Sequence, residues 1–193
     1  LSLGLSIGLF IALPAFIAHL IVSSEEANLL SSLIEGLVRL VIFIGYIWGI
    51  SFMPDVTRLF MYHGAEHKTI NAFEAGAELT PEVVANYPIE HARCGTAFLL
   101  TLVLLSILVF TALGPMSIGW RLATRILFIP ILAGISIEYI RWTANHLKNP
   151  FVQMLIKPNL AMQHLTTRTP DLTMLEVAIA SFQSMRKAEQ EIA

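Results

Sequence analysis

A single cysteine, Cys94, is the chain's whole supply of thiol, which excludes an internal disulfide and leaves one free sulfur to explain. Charge is scarce as well. Asp, Glu, Lys and Arg make up 13% of the 193 residues, where a soluble domain carries about 25%. The formal net charge of −2 offers no basic surface for nucleic acid. The opening run LSLGLSIGLFIALPAFIAHLIV has no basic flank and no small-residue cleavage site. It reads as a spanning helix rather than a signal peptide, and so bare a start leads us to expect further residues ahead of it. Phosphate loops, internal repeats and low-complexity tracts are all missing from the sequence.

What is abundant is apolar. Hydrophobic residues make up 55% and the mean hydropathy is +0.70. They cluster in four runs, each long enough to cross about 30 Å of hydrocarbon: Leu1 to Val22, Leu33 to Met53, Ala97 to Leu113 and Leu122 to Trp142. The expected fold is therefore an all-α polytopic membrane protein with four transmembrane helices. Residues 1–53 hold spans one and two, 54–96 a helical insert, 97–142 spans three and four, and 143–193 a tail with an amphipathic helix. Pro130 predicts a kink in the fourth span. Gly4 and Gly8 are spaced for close approach by another helix. Glu35 and Arg39 read as a pair on one helix face.

Four spans put the insert and the tail on one side of the bilayer. Eight of the twelve Lys and Arg residues lie there and Arg141 at the adjoining end of the fourth span, against Arg121 and Arg125 at the opposite turn and none in the acidic loop SSEEANLLSS. The bias predicts a cytoplasmic insert and C-terminus. Within the insert, Pro54 suits a first-turn position and Gly76 a helix-ending one, so a helix over 54–75 is expected, extending the second span. Thr80-Pro81 marks a second, short helix ending near Asn86. In the tail, Thr169 is the expected N-cap, Pro170 takes N1, and Leu172, Leu175, Ile179 and Phe182 repeat at helical spacing. That helix (170–192) is expected to dock on the protein's own cytoplasmic face; it and the Gly4/Gly8 face are the surfaces for any membrane-protein partner.

The chemistry concentrates in the insert. His63 and His67 are one turn apart on a helix and project from the same face, with Glu66 about 60° round the axis. The order H-x-x-E-H is that of inverzincin peptidases, where both His bind zinc and the Glu activates water. His91 and Cys94, just ahead of the third span, complete an N₃S set suited to zinc or another divalent transition metal. Glu74 shares the stripe of His67, but seven residues along a helix is about 10 Å, too far for the same ion. It fits better as a contact behind the ligands or on substrate. Glu138, 71 residues after His67, is the rival ligand, with Arg141 its simplest partner. His19, His146 and His164 read as wet polar residues.

The blocks YHGAEHKTINAFEAG, HARCGTAFLL and LTTRTPDLTMLEVAI resemble the YqhQ-like family, bacterial multi-span membrane proteins of unknown function described as predicted metal-dependent enzymes. The resemblance implies a multi-pass protein of the bacterial inner membrane. The family pattern has Pro at Ala92 and Glu at Thr169, and neither change removes a candidate ligand. Its N-terminal EGVMM-type motif is absent here, so any ligand it supplies is missing from this chain.

Two functions follow. In the first, a zinc-dependent membrane hydrolase acts on a peptide or lipid-linked substrate, with Glu66 as general base and Arg93 steadying an anion. A catalytic zinc keeps one position open, which requires that Cys94 not bind or that Glu138 replace a pair of ligands. In the second, His63, His67, His91 and Cys94 close the sphere, and the protein is a non-catalytic scaffold or assembly subunit held by a structural zinc clasp. A transporter is disfavoured by the lack of repeats and the small number of intramembrane polar residues.

Overall fold

Every described element is a helix, as expected from the four apolar runs and the caps between them. The computed structural model describes residues 2–21, 29–114, 116 and 118–192. Glu25 and Glu26 of the acidic loop lie outside these. In chain order the elements are α1 (Ser2–Ile7), a π-helical stretch (Gly8–Ala12), α2 (Leu13–Ile21), α3 (Leu29–Ile50), α4 (Pro54–Glu74), α5 (Pro81–Val84), α6 (Gly95–Leu113), α7 (Ile118–Asn145), α8 (Pro150–Thr166) and α9 (Leu172–Ile192). They form two compact units, Leu1–Trp48 with Phe98–Trp142 and Gly49–Ala97 with Thr143–Ala193.

The first unit contains the greater part of four helices long and apolar enough to cross a membrane: Gly4–Ile21, Leu29–Ile50, Gly95–Leu113 and Ala123–Asn145. Their apolar side chains face outward. Val41, Leu108, Ile126 and Leu127 are each more than 60% exposed, an arrangement that water would oppose and hydrocarbon favours. Exposed Trp48, Trp120 and Trp142 lie near span ends, where indole rings settle among headgroups. Gly36 packs so closely on Ile107 that an added Cβ would come within 2.8 Å of its side chain. A Cβ at Gly4 or Gly8 would meet nothing, so the close approach expected there is not made by this chain's described residues.

Glu35 and Arg39 form the expected i,i+4 pair, at 2.6 Å. It is more than a surface pair, because Arg125 of α7 reaches the same Glu35 oxygen at 2.7 Å. Arg39 also donates Nε–H to the carbonyl of Phe10, in the π-helical stretch. Pro130 lies inside α7, as placed from sequence.

The second unit is built on α4. Met53 is extended (φ −73°, ψ 131°) and Pro54 starts the helix. The second span and the insert helix are thus two elements, where the sequence suggested one continuous rod. The helix stops at Glu74, and Gly76 (φ +71°) makes the left-handed exit reserved for glycine. Ala65 and Ala72, two turns apart, give α4 a shallow face on which Met174, Leu175 and Ile179 of α9 pack with Val84 of α5. The tail helix thus docks on its own chain. It starts at Leu172, and its cap is Asp171, not Thr169: Asp171 Oδ1 accepts from Met174 N–H at 2.8 Å and from Thr173 Oγ at 2.7 Å. Helix α8 is the element the sequence reading missed. Asn149 caps it through Phe151 N–H, Pro150 takes N1, and its buried stripe includes Asn159, Gln163 and Thr166.

Candidate metal centre

Helix α4 presents a run of polar side chains to the loop that follows α5. His67 Nδ1 lies 2.6 Å from the Ile89 carbonyl. Lys68 Nζ donates to the carbonyls of Ala85 and Tyr87, and Asn71 Nδ2 donates to those of Pro88 and Glu90, each at 2.9 Å. A loop with no ladder of its own thereby has its buried acceptors satisfied by one helix. From the other side, Gln163 of α8 acts as a peptide mimic. Its Oε1 accepts from His91 N–H at 2.8 Å and its Nε2 donates to the His91 carbonyl at 2.9 Å.

The chain leaving α8 closes over α4. Arg168 N–H donates to the Phe60 carbonyl, and a Cβ on Gly64 would strike the Arg168 carbonyl and come within 2.9 Å of Ile89. Glycine is required here for close backbone approach, not for an unusual φ. That approach sets the Thr166 carbonyl 2.8 Å from His63 Nδ1.

Two imidazoles are therefore oriented in the same way. A carbonyl oxygen can only accept, so Nδ1 of His63 and of His67 carries the proton, and each Nε2 offers a lone pair. Metal-binding histidines are commonly oriented by this kind of contact. The rings lie 4.3 Å apart, and Cys94 Sγ is 3.3 Å from His63 Nε2. One ligand atom from each of His63, His67 and Cys94 falls within 4.8 Å of the others. Tetrahedral zinc, with its usual bond lengths, holds nitrogen and sulfur about 3.6 Å apart, close to the 3.3 Å between Cys94 Sγ and His63 Nε2. His67 is 3% and Cys94 4% exposed.

Electrostatics favours the ligand form of Cys94 and holds on His63 a proton that an ion would displace. Burial alone would push the Cys94 thiol up. Hydrogen bonds from His63, His67 and Thr96 outweigh it and bring the thiol from 9.0 down to about 5. The Cys94 contact holds His63 above the ordinary imidazole range, against burial. A buried thiolate beside two imidazoles suits a soft divalent ion, which would take the place of the proton shared between the sulfur and His63 Nε2; its small exposure suits a substrate nucleophile less well.

The other residues read from sequence fall elsewhere. His91 stands beside the group, its ring 5.8 Å from that of His67. Its Nε2 faces Glu74 Oε2 at 3.5 Å, and its Nδ1 takes a long contact of 3.4 Å from Arg93 N–H. Both of its nitrogens are thus turned to its own loop and to Glu74. Burial lowers the His91 pKa, with Glu74 opposing. Arg93 pairs with Glu74 at 2.6 Å, exposed to solvent. Asn71, Glu74, His91 and Arg93, with Ile156 and Leu160, line a cleft of about 330 Å³. Glu66 is exposed and lines a different groove, against Phe182 and Met185 of α9, although its charge still reaches His63. Glu138 pairs with Arg141 at 3.2 Å in the first unit. Gln163 and the carbonyls of Ile89 and Thr166 escaped the sequence reading. Main-chain acceptors carry no residue signature, and a glutamine on an unrecognised helix carries little.

A family profile described as "Protein of unknown function (DUF1385)" matches residues 1–188. The uncharacterized protein YqhQ of Bacillus subtilis (strain 168) is 35% identical over 180 residues, which cover 93% of this chain and 57% of YqhQ. The chain thus spans little more than half the length of that relative. No solved structure matches it. With the three sequence blocks, the membrane-spanning helices and a match over nearly all its residues, the chain belongs to the DUF1385 family of YqhQ-like proteins.

Proposed function

We propose that this protein is a metal-dependent integral-membrane enzyme, with zinc held by His63, His67 and Cys94. The observation that supports this reading most is the count of converging ligands. Three donors share one point, while the fourth candidate, His91, is turned toward Glu74. Three protein ligands with one position free is the pattern of catalytic zinc, whereas structural sites use four. In such a site zinc supplies Lewis acidity to a carbonyl or phosphoryl oxygen, which fits hydrolysis. His91, backed by Glu74 and with its ring 5.8 Å from that of His67, is assigned the proton handling; Glu66, lining the α9 groove, is assigned no catalytic role. Arg93 and the apolar wall of the cleft suit a substrate with an anionic head and a hydrocarbon portion. The Lys and Arg distribution supports a site on the cytoplasmic side, and the Bacillus relative suggests a bacterial cell membrane.

Burial of His67 and Cys94 favours a second reading, a structural clasp joining α4 to the head of α6. X-ray absorption on the purified, zinc-loaded chain separates the two. Two nitrogens and one sulfur from protein, with a further light atom, are expected. A closed N₃S shell would overturn the catalytic reading. His91→Ala is expected to leave zinc stoichiometry unchanged, and a variant that no longer retains zinc would return His91 to the ligand set. Glu66→Gln is likewise expected to leave zinc content and thermal midpoint unaltered.

A further inference from the structure

The first unit contains a second cluster of charge that the metal centre does not use. Arg39 Nη2 and Arg125 Nη2 both reach Glu35 Oε1, at 2.6 and 2.7 Å, and all three side chains are less than 20% exposed. Two guanidinium groups meet one carboxylate within helices apolar enough to span a bilayer. Among the described residues this leaves one positive charge more than the carboxylate neutralises, which is costly in that setting, and such groups mark sites by default. Arg125 also has a buried Nε with no hydrogen-bond partner among the described residues, and its guanidinium lies over Phe110. A hydrogen-bond donor left over on a buried cation, next to an excess of charge, calls for an anionic acceptor.

The space beside the cluster fits part of such a ligand. It is lined by Glu35, Arg39, Phe110 and Arg125, with Leu113 and Gly114 at the end of α6 and Thr124 near the start of α7. These last residues stand where one span ends and the next begins, the level of lipid headgroups. Its accessible volume of about 30 Å³ is small, where one water needs about 10–15 Å³. It admits an oxygen or two of an anionic group, not a whole lipid headgroup. The remainder of the ligand must lie outside the helices, where lipid is.

We propose that Arg39 and Arg125 form a binding site for the phosphate of an anionic lipid headgroup, between α3 and α7 at the membrane surface. The site is independent of the metal reading, since none of its residues belongs to the unit that holds His63, His67 and Cys94.

The test uses the full chain in nanodiscs, with lipid retention read by native mass spectrometry and thermal midpoint recorded alongside. Phosphatidylglycerol is expected to be retained roughly five-fold or more over phosphatidylcholine, and to raise the midpoint further. Arg125→Gln is expected to remove that preference. Arg125→Lys, which keeps the charge, and Arg141→Gln, an exposed control, are expected to preserve it. A free-phosphate arm in zwitterionic discs distinguishes the sources. A midpoint rise with millimolar inorganic phosphate equal to that with phosphatidylglycerol overturns the lipid assignment. Equal retention of the two lipids by the native chain overturns the site altogether, whether or not Arg125→Gln folds, and so does full preference in that variant.

Discussion

Replacing Cys94 by serine is expected to weaken zinc binding by roughly a hundred-fold. Four-ligand zinc sites in small folds are worth about 10 kcal/mol or more, so one ligand carries about 3 kcal/mol. The thiolate is the most distinctive donor here, with Sγ 3.3 Å from His63 Nε2. Competition with a chromophoric chelator measures the loss, and His67→Ala is expected to match it. Unchanged affinity in both variants would remove the metal centre. Because ion binding contributes to folding, the thermal midpoint should fall further in zinc than in excess chelator.

Acid should have a related effect. A thiol lowered on folding contributes stability above its unfolded pKa of about 8.5, and that contribution is lost as pH falls through about 5. Protons also compete with zinc for the sulfur. Affinity is therefore expected to hold at neutral pH and decline steeply below about 5, with His63, raised by the Cys94 contact, beginning to compete earlier.

The second large effect is expected from Gly64→Ala, although glycine to alanine normally stabilises a helix by about 1 kcal/mol. Here the methyl group would strike the Arg168 carbonyl and press on Ile89 Cδ1. Backbone on one side cannot move as a rotamer does, and overpacking of this kind costs about 1–3 kcal/mol. The strain falls on both orienting carbonyls, since Arg168 follows Thr166 closely and Ile89 itself supplies the acceptor for His67. Zinc affinity should fall together with stability. Gly76→Ala, at the left-handed exit, should lower stability without changing zinc affinity, because its own added methyl meets nothing. Equal zinc affinity in Gly64→Ala and the native chain would show that the carbonyls do not orient the imidazoles.

How much of this was legible in the sequence differs between fold and site. The four apolar runs, Pro54, Gly76 and Pro81 give themselves away, because chain length, ring closure and missing side chains act locally. The same is true of His63 and His67, whose shared face follows from helical spacing alone. His91 could not be placed in that way. Its direction is set by Gln163, 72 residues on, and Gln163 lies on a helix whose buried stripe is partly polar and contains Pro158. The role of Glu66 was misleading for a related reason. A residue adjacent in sequence to a ligand sits about 100° round the helix, and α9 rather than the loop covers that side. Arg125 joined Glu35 and Arg39 from another span, a contact that no local pattern announces.

The Thr166 carbonyl that orients His63 lies far down the chain from every candidate ligand of the cluster, all of which precede Gly95. During synthesis the donors emerge well before the segment that aligns them. The nascent insert therefore has its sulfur and imidazoles but not their final arrangement until α8 has been made and has packed against α4.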